Sequence, residues 1–135
     1  SVDGVTMKRF DSPVLFPGGD DFESIECPGG CEDPRVAMTE DGLYVMLYTA
    51  WNRKTPRLAV ATSRDLKNWT KHGLAFEKAY DGRFARIATK SASMLTKVKG
   101  GKLVIDKVDG KYFMGRICCA CSYFRQSYRL VSCTG

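Results

Sequence analysis

With 135 residues the chain has room for one ordinary domain, and 44% hydrophobic, 27% charged and 11% aromatic residues exclude the disordered, collagen-like and coiled-coil classes. No apolar run approaches the roughly 20 residues of a membrane-spanning helix. The formal charge of +6 invites a nucleic-acid reading, yet Arg116, Arg125 and Arg129, in the acid-free stretch 116–135, supply half of it. The lysines before them (Lys67, Lys71, Lys90, Lys97, Lys99, Lys102, Lys107 and Lys111) are interleaved with Asp and Glu, as on a solvated face. Neither nucleic acid nor a membrane is therefore expected as a partner.

The opening SVDGVTMKRFDSP has no Met, basic n-region or apolar h-region, and reads as the middle of a longer protein without a secretory signal in these residues. Cys27-Pro-Gly-Gly-Cys31 lacks a second Cys or His pair to complete a zinc site, and His72 is the only histidine. No metal is expected, and the two cysteines read as reduced thiols beside a turn. From here the pattern is β throughout, with no helical period. Arg35–Thr39 is followed by the turn Glu40-Asp41-Gly42, then by the long apolar strand 43–51, the polar turn 52–56 and a strand over 57–63. Further strands are expected over 93–97, 102–107 and 111–114, with turns at 98–101 and 108–110, forming an antiparallel meander.

Ser63-Arg64-Asp65-Leu66-Lys67-Asn68-Trp69 has the form S-x-D-x-x-x-aromatic, and Ser1-Val2-Asp3-Gly4-Val5-Thr6-Met7 repeats it 62 residues earlier with Met in the aromatic slot. Such a turn is expected to pass the chain from one sheet to the next. A repeated turn-plus-meander of that period points to β-propeller blades, although two similar Asx turns could also arise independently. The chain would then hold about two blades, too few to close a ring of four or more.

The sharpest segment for chemistry is Gly29-Gly30-Cys31-Glu32-Asp33-Pro34-Arg35-Val36. Pro34 fixes its own φ and biases Asp33 away from helix, so the Asp33 carboxyl is aimed in a defined direction. The glycines let backbone or ligand approach closely, and Arg35 can hold Glu32 or a substrate oxyanion through paired hydrogen bonds. The constellation suits a positioned acid that protonates a leaving group; a plain Asp-Pro turn with a buried Arg–carboxylate pair fits the same residues.

GCEDPRV, then YVMLYTAWN, RLAVATSRDLKNWTKHG, TKSASMLTKV and GGKLVIDKVDGKYFM together resemble glycoside hydrolase family 130, the mannoside phosphorylases and related β-mannosidases. The resemblance covers residues 1–114 and implies an all-β fold: a fragment, about two blades, of a five-bladed propeller whose full ring needs about 300 residues at about 60 per blade. It implies that Asp33 is the proton donor, acting through a sugar hydroxyl on the glycosidic oxygen of a β-mannoside. Inorganic phosphate, as co-substrate and with no other cofactor, attacks the anomeric carbon from the opposite face and gives α-mannose 1-phosphate. Hydrolytic members instead need a carboxylate to activate water, and a non-catalytic carbohydrate-binding β-domain is the other alternative. Lys90 and Ser91 match the anion-side motif and are the expected phosphate-binding pair. Glu32, Arg35, Tyr48, Thr49 and Arg57 are the expected substrate-binding residues, with Tyr48 equally suited to core packing. Phosphorolysis stores bond energy in a sugar phosphate of use only inside a cell, which implies the cytoplasm; a complete protein could be oligomeric, and the fragment alone is expected to be inactive.

After Met114 the resemblance stops, and residues 115–135 carry Cys118, Cys119, Cys121 and Cys133. Codons exist for this tail that spell GESVVRAATSDNLIDWYPVP one base later, including a third copy of the turn, so it is expected to be out of frame and without a native fold. Codons that spell no such repeat in another frame would exclude the idea. A cysteine-rich metal or redox tail is the competing reading, though no ligand set in it is complete.

Overall fold

The computed structural model describes residues 3–78, 80–118 and 131–133. After an irregular leading segment and the single-turn helix α1 (Glu23–Glu26), the chain is built from strands. They are β1 (Gly30–Met38), β2 (Tyr44–Trp51), β3 (Pro56–Ser63), β4 (Thr70–Leu74), β5 (Thr89–Met94), β6 (Thr96–Lys99), β7 (Lys102–Ile105), β8 (Lys107–Val108), β9 (Lys111–Cys118) and β10 (Val131–Cys133).

They form two sheets. The first has the order β4-β3-β2-β1-β7-β6; in the second, β9 lies between β10 and β5 and also pairs with β8. The antiparallel meander expected from the sequence exists over β1–β4, with Tyr44 opposite Ser63 and Trp51 opposite Pro56 in the central ladder. It fails further along. β5 pairs directly with β9, and the intervening hairpin β6–β7 crosses to the first sheet, where Met38 and Val104 form a parallel bridge with β1. The strand expected over 93–97 straddles the end of β5 and the start of β6, and Val98 and Lys99, expected in a turn, belong to β6; period-two patterning marked β7 but neither the break at Leu95 nor the sheet the hairpin joins.

The central strands β2 and β3 are buried on both faces, which is why β2 reads as an almost unbroken apolar run. Met46, Tyr48, Ala50, Ala59 and Ala61 pack on one face against Leu15, Ile25, Cys31 and Trp69. On the other face Leu47 and Leu58 meet Phe76 and, from the second sheet, Ala92 and Met114. Each such Leu gains about 1.5–3 kcal/mol from burial.

Both copies of the S-x-D turn adopt one hydrogen-bonding scheme. The Asp3 carboxylate accepts from the N–H of Val5 and Thr6 and from the Thr6 hydroxyl. Asp65 does the same for the N–H of Lys67 and Asn68 and for the Asn68 side-chain amide. Those backbone bonds hold the Asp65 carboxyl well below the usual carboxylate range. The connection differs from expectation, because 63–69 joins β3 to β4 within one sheet rather than passing the chain between sheets. Trp69 closes the turn, donating its indole N–H to the Leu66 carbonyl and packing on the first core.

Candidate active site

The end of the first sheet where β1 begins is shaped by a close approach. Gly29 is packed so tightly that a Cβ there would collide with the Trp51 carbonyl, so only glycine lets β1 start beside β2. Glu32 then lies opposite Thr49, but the next registered pair is Arg35 with Leu47, so β1 carries an extra residue between them. Pro34, which has no N–H to give a ladder, sits in this bulge. Asp33 takes a left-handed backbone there, with φ +51°. A residue with a Cβ rarely holds that conformation, at a cost of order 1–3 kcal/mol.

The second sheet supplies the partner. β5 has its own bulge between Lys90 and Ala92, and Ser91 within it is also left-handed, at φ +47°. The Ser91 hydroxyl donates to Asp33 Oδ2 at 3.0 Å, and the Ser91 N–H donates to Thr49 Oγ1 at 3.3 Å. Two residues back, buried Thr89 accepts the Leu58 N–H at 2.9 Å. Thr89 and Ser91 thus stitch β5 onto the first sheet by polar bonds between otherwise apolar faces. Lys90 Nζ lies 3.5 Å from both Asp33 Oδ2 and Glu32 Oε2. The Asp33 charge foremost raises the Lys90 pKa, with Glu32 adding to it against a smaller opposing effect of burial. The Asp33 side chain is 33% exposed, so the carboxyl is held but reachable.

Of the residues expected from the sequence, Glu32, Asp33, Thr49, Lys90 and Ser91 lie together in one cluster. The other expected residues lie elsewhere. Arg35 is exposed and donates to the carbonyl of Pro34, not to Glu32 or Asp33. Tyr48 is 1% exposed and points to the opposite face of β2 from Thr49, where its hydroxyl donates to Glu26 Oε1 at 2.7 Å. Arg57 pairs with Ala50 on that same face, and its buried Nε makes no hydrogen bond among the described residues.

Beneath Tyr48 lies a charged network the sequence did not disclose. Fully buried Glu26 also bonds Lys71 Nζ at 2.5 Å, and Lys71 reaches Asp20 at 2.7 Å and the Phe16 carbonyl at 2.8 Å, satisfying all three of its donors. Burial opposes the Lys71 charge, yet its bonds to Asp20 and Glu26 prevail and its pKa is raised. Burial, reinforced by Glu26, pushes the neighbouring Cys31 thiol up to about 12 and raises the Tyr48 phenol. Cys27 and Cys31 are both free thiols. A hollow of about 540 Å³ between Phe10–Val14 and Trp69 belongs to this leading segment and not to the Asp33 cluster.

Residues 1–124 match the family model described as β-1,4-mannooligosaccharide phosphorylase. The chain belongs to glycoside hydrolase family 130. The match extends past Met114, where the quoted motifs end; β9 runs on to Cys118 and β10 pairs with it, while 119–130 and 134–135 lie outside the described residues. Family 130 relatives include a β-1,2-mannobiose phosphorylase of Thermoanaerobacter sp. (strain X514), 32% identical over 78% of this chain and 31% of its own length. A 1,2-β-oligomannan phosphorylase of the same organism is 29% identical over 84% of this chain.

Solved structures are more similar still. A candidate glycoside hydrolase of Bacteroides ovatus ATCC 8483 is 74% identical over 86% of this chain and 34% of its own, with a TM-score of 0.83. Another, at 60% identity and a TM-score of 0.83 over 86% of this chain and 32% of its own, accompanies the statement that family 130 contains glycoside hydrolases targeting β-1,2 mannosidic linkages in Candida mannan. The chain thus spans about a third of the length of its family 130 relatives.

Proposed function

We propose that the complete protein cleaves β-mannosides with inversion and that Asp33 is its acid. The observation that carries this reading is the reachable Asp33 carboxyl in a left-handed bulge, held through one oxygen by Ser91 and Lys90. As the glycosidic C–O bond breaks, the proton passes from Asp33, through a sugar hydroxyl, to the departing oxygen, and the incoming oxygen bonds the anomeric carbon from the other face. Asp33 ends as a carboxylate. Lys90 and the Ser91 hydroxyl both favour that charged form, so their contribution grows as the reaction proceeds, which is what lowers a barrier. The five-bladed propeller of the family resemblance would supply the remaining sugar contacts.

The incoming oxygen is phosphate by analogy with the family model and both curated relatives, whose names are those of phosphorylases. Water is a second reading with its own support. The 60%-identical structure is associated with hydrolases of β-1,2 mannosidic linkages, and Lys90 already faces two carboxylates, which weakens it as an anchor for phosphate.

The test uses full-length protein carrying this sequence, given β-1,2-mannobiose with and without inorganic phosphate. Phosphate-dependent α-mannose 1-phosphate identifies phosphorolysis, and free mannose without phosphate identifies hydrolysis. Asp33→Asn is expected to lower turnover by about 10²–10⁴-fold in either case. Undiminished turnover would remove Asp33 from the acid role.

A further inference from the structure

We infer that Ser91 is a positioning residue for Asp33, seated by Thr49, and that the proton leaves from Asp33 Oδ1. This rests on Asp33 being the acid and departs from the phosphate-binding role the sequence resemblance implies for Ser91.

The geometry carries the assignment. Of the seven non-glycine residues with left-handed backbones among the described residues, Asp33 at φ +51° and Ser91 at φ +47° each sit in a bulge, on different sheets, and bond each other. Strain of this kind persists only where surrounding structure enforces it, and two such sites meeting at one hydrogen bond mark that bond as the thing being enforced. The Ser91 hydroxyl donates its hydrogen to Asp33 Oδ2, and Lys90 approaches the same oxygen. Oδ2 is thereby committed to the protein, which leaves Oδ1 to carry and deliver the proton. Ser91 in turn cannot swing away. Its N–H is fixed to Thr49 Oγ1, and Thr49 is wholly buried in β2 directly opposite Glu32, one residue before Asp33. Thr49 therefore acts two bonds from the acid, as the seat that sets the height of the Ser91 hydroxyl over the β1 bulge.

Full-length protein carrying Ser91→Ala, Ser91→Thr and, as the seat variant, Thr49→Val tests this beside Asp33→Asn. Loss of a hydrogen bond to a group that becomes charged predicts a drop in kcat of about 10- to 100-fold for Ser91→Ala. The KM values for mannoside and for phosphate are expected to stay within about twofold. Ser91→Thr, which returns the hydroxyl, should restore most of the rate. Thr49→Val should follow Ser91→Ala in direction with a smaller loss.

A raised KM for phosphate with kcat preserved at saturating phosphate would overturn the inference in favour of a phosphate contact. So would Ser91→Ala with unchanged kcat while Asp33→Asn is inactive, which leaves the acid assignment standing. An active Asp33→Asn would instead overturn the acid assignment and this inference with it.

Discussion

Lys71 illustrates how one ammonium can organise a region that its surroundings in the sequence do not advertise. Its three donors meet Glu26, Asp20 and the Phe16 carbonyl, so the leading segment, α1 and β4 share a single cation. Both Lys71 and Glu26 are withdrawn from water, with the Lys71 side chain 8% exposed and Glu26 none. Lys71→Met would leave Glu26 buried without its counter-charge, at a cost of about 3–5 kcal/mol. The expected result is a fall in the denaturant midpoint of the full-length protein, partly recovered in Lys71→Met/Glu26→Gln. The pH dependence follows from direction. The folded Lys71 pKa is raised; its contribution is whole below the ordinary lysine value near 10.4 and fades as pH climbs through the higher folded value. Wild-type protein should lose this increment in alkaline titrations of stability, and Lys71→Met should not.

As a candidate, Asp33 could be singled out at the same scale because Asp-Pro after two glycines is a local signal. The Tyr48–Glu26–Lys71 set was not, since its members are 22 and 45 residues from Glu26 and only the fold brings them together.

Among elements, β2 and β3 were readable almost to the residue because apolar runs bounded by polar turns carry their own ends. β1 was recognised only from Arg35 onward; the structure starts it at Gly30, since a bulge lets a strand pass through a Pro that would otherwise end it. β4, a five-residue segment over Thr70–Leu74 that includes His72 and Gly73, gave no alternating pattern and was missed. The one-turn α1 is too short for any helical period to show. The start of β1 is also where an element-scale change should tell most. Gly29→Ala places a methyl group into the Trp51 backbone, which cannot yield without parting β1 from β2. Overpacking of this kind costs about 1–3 kcal/mol or more. Thermal melting should show the loss, and hydrogen exchange should show it concentrated at Gly30–Glu32 and Thr49–Trp51; protection unchanged there would refute the close-packing argument.

For the whole molecule, a chain spanning about a third of its relatives presents large apolar side chains to solvent. Val5 is 85% exposed, Met7 73% and Phe10 60% along the leading segment, with Val98 at 74% on the β6–β7 hairpin. Exposure on that scale favours association. The 135-residue chain expressed alone is expected to self-associate in light scattering and to turn over no mannoside above background, whereas the full-length protein should turn over β-1,2-mannobiose. A monodisperse, active short chain would contradict both halves of that expectation.

Asp33, the proposed acid, and the Ser91 hydroxyl ride on separate sheets, joined by a contact of 3.0 Å. A slip of about an ångström between the sheets would part that contact while leaving every strand ladder intact, and misplacement on this scale is enough to cost about a hundredfold in rate. Such a joint would make the proposed site a vernier of inter-sheet alignment. Warming would blunt the chemistry before it melted the scaffold, and any partner that clamps the two sheets together would sharpen catalysis without touching the sugar.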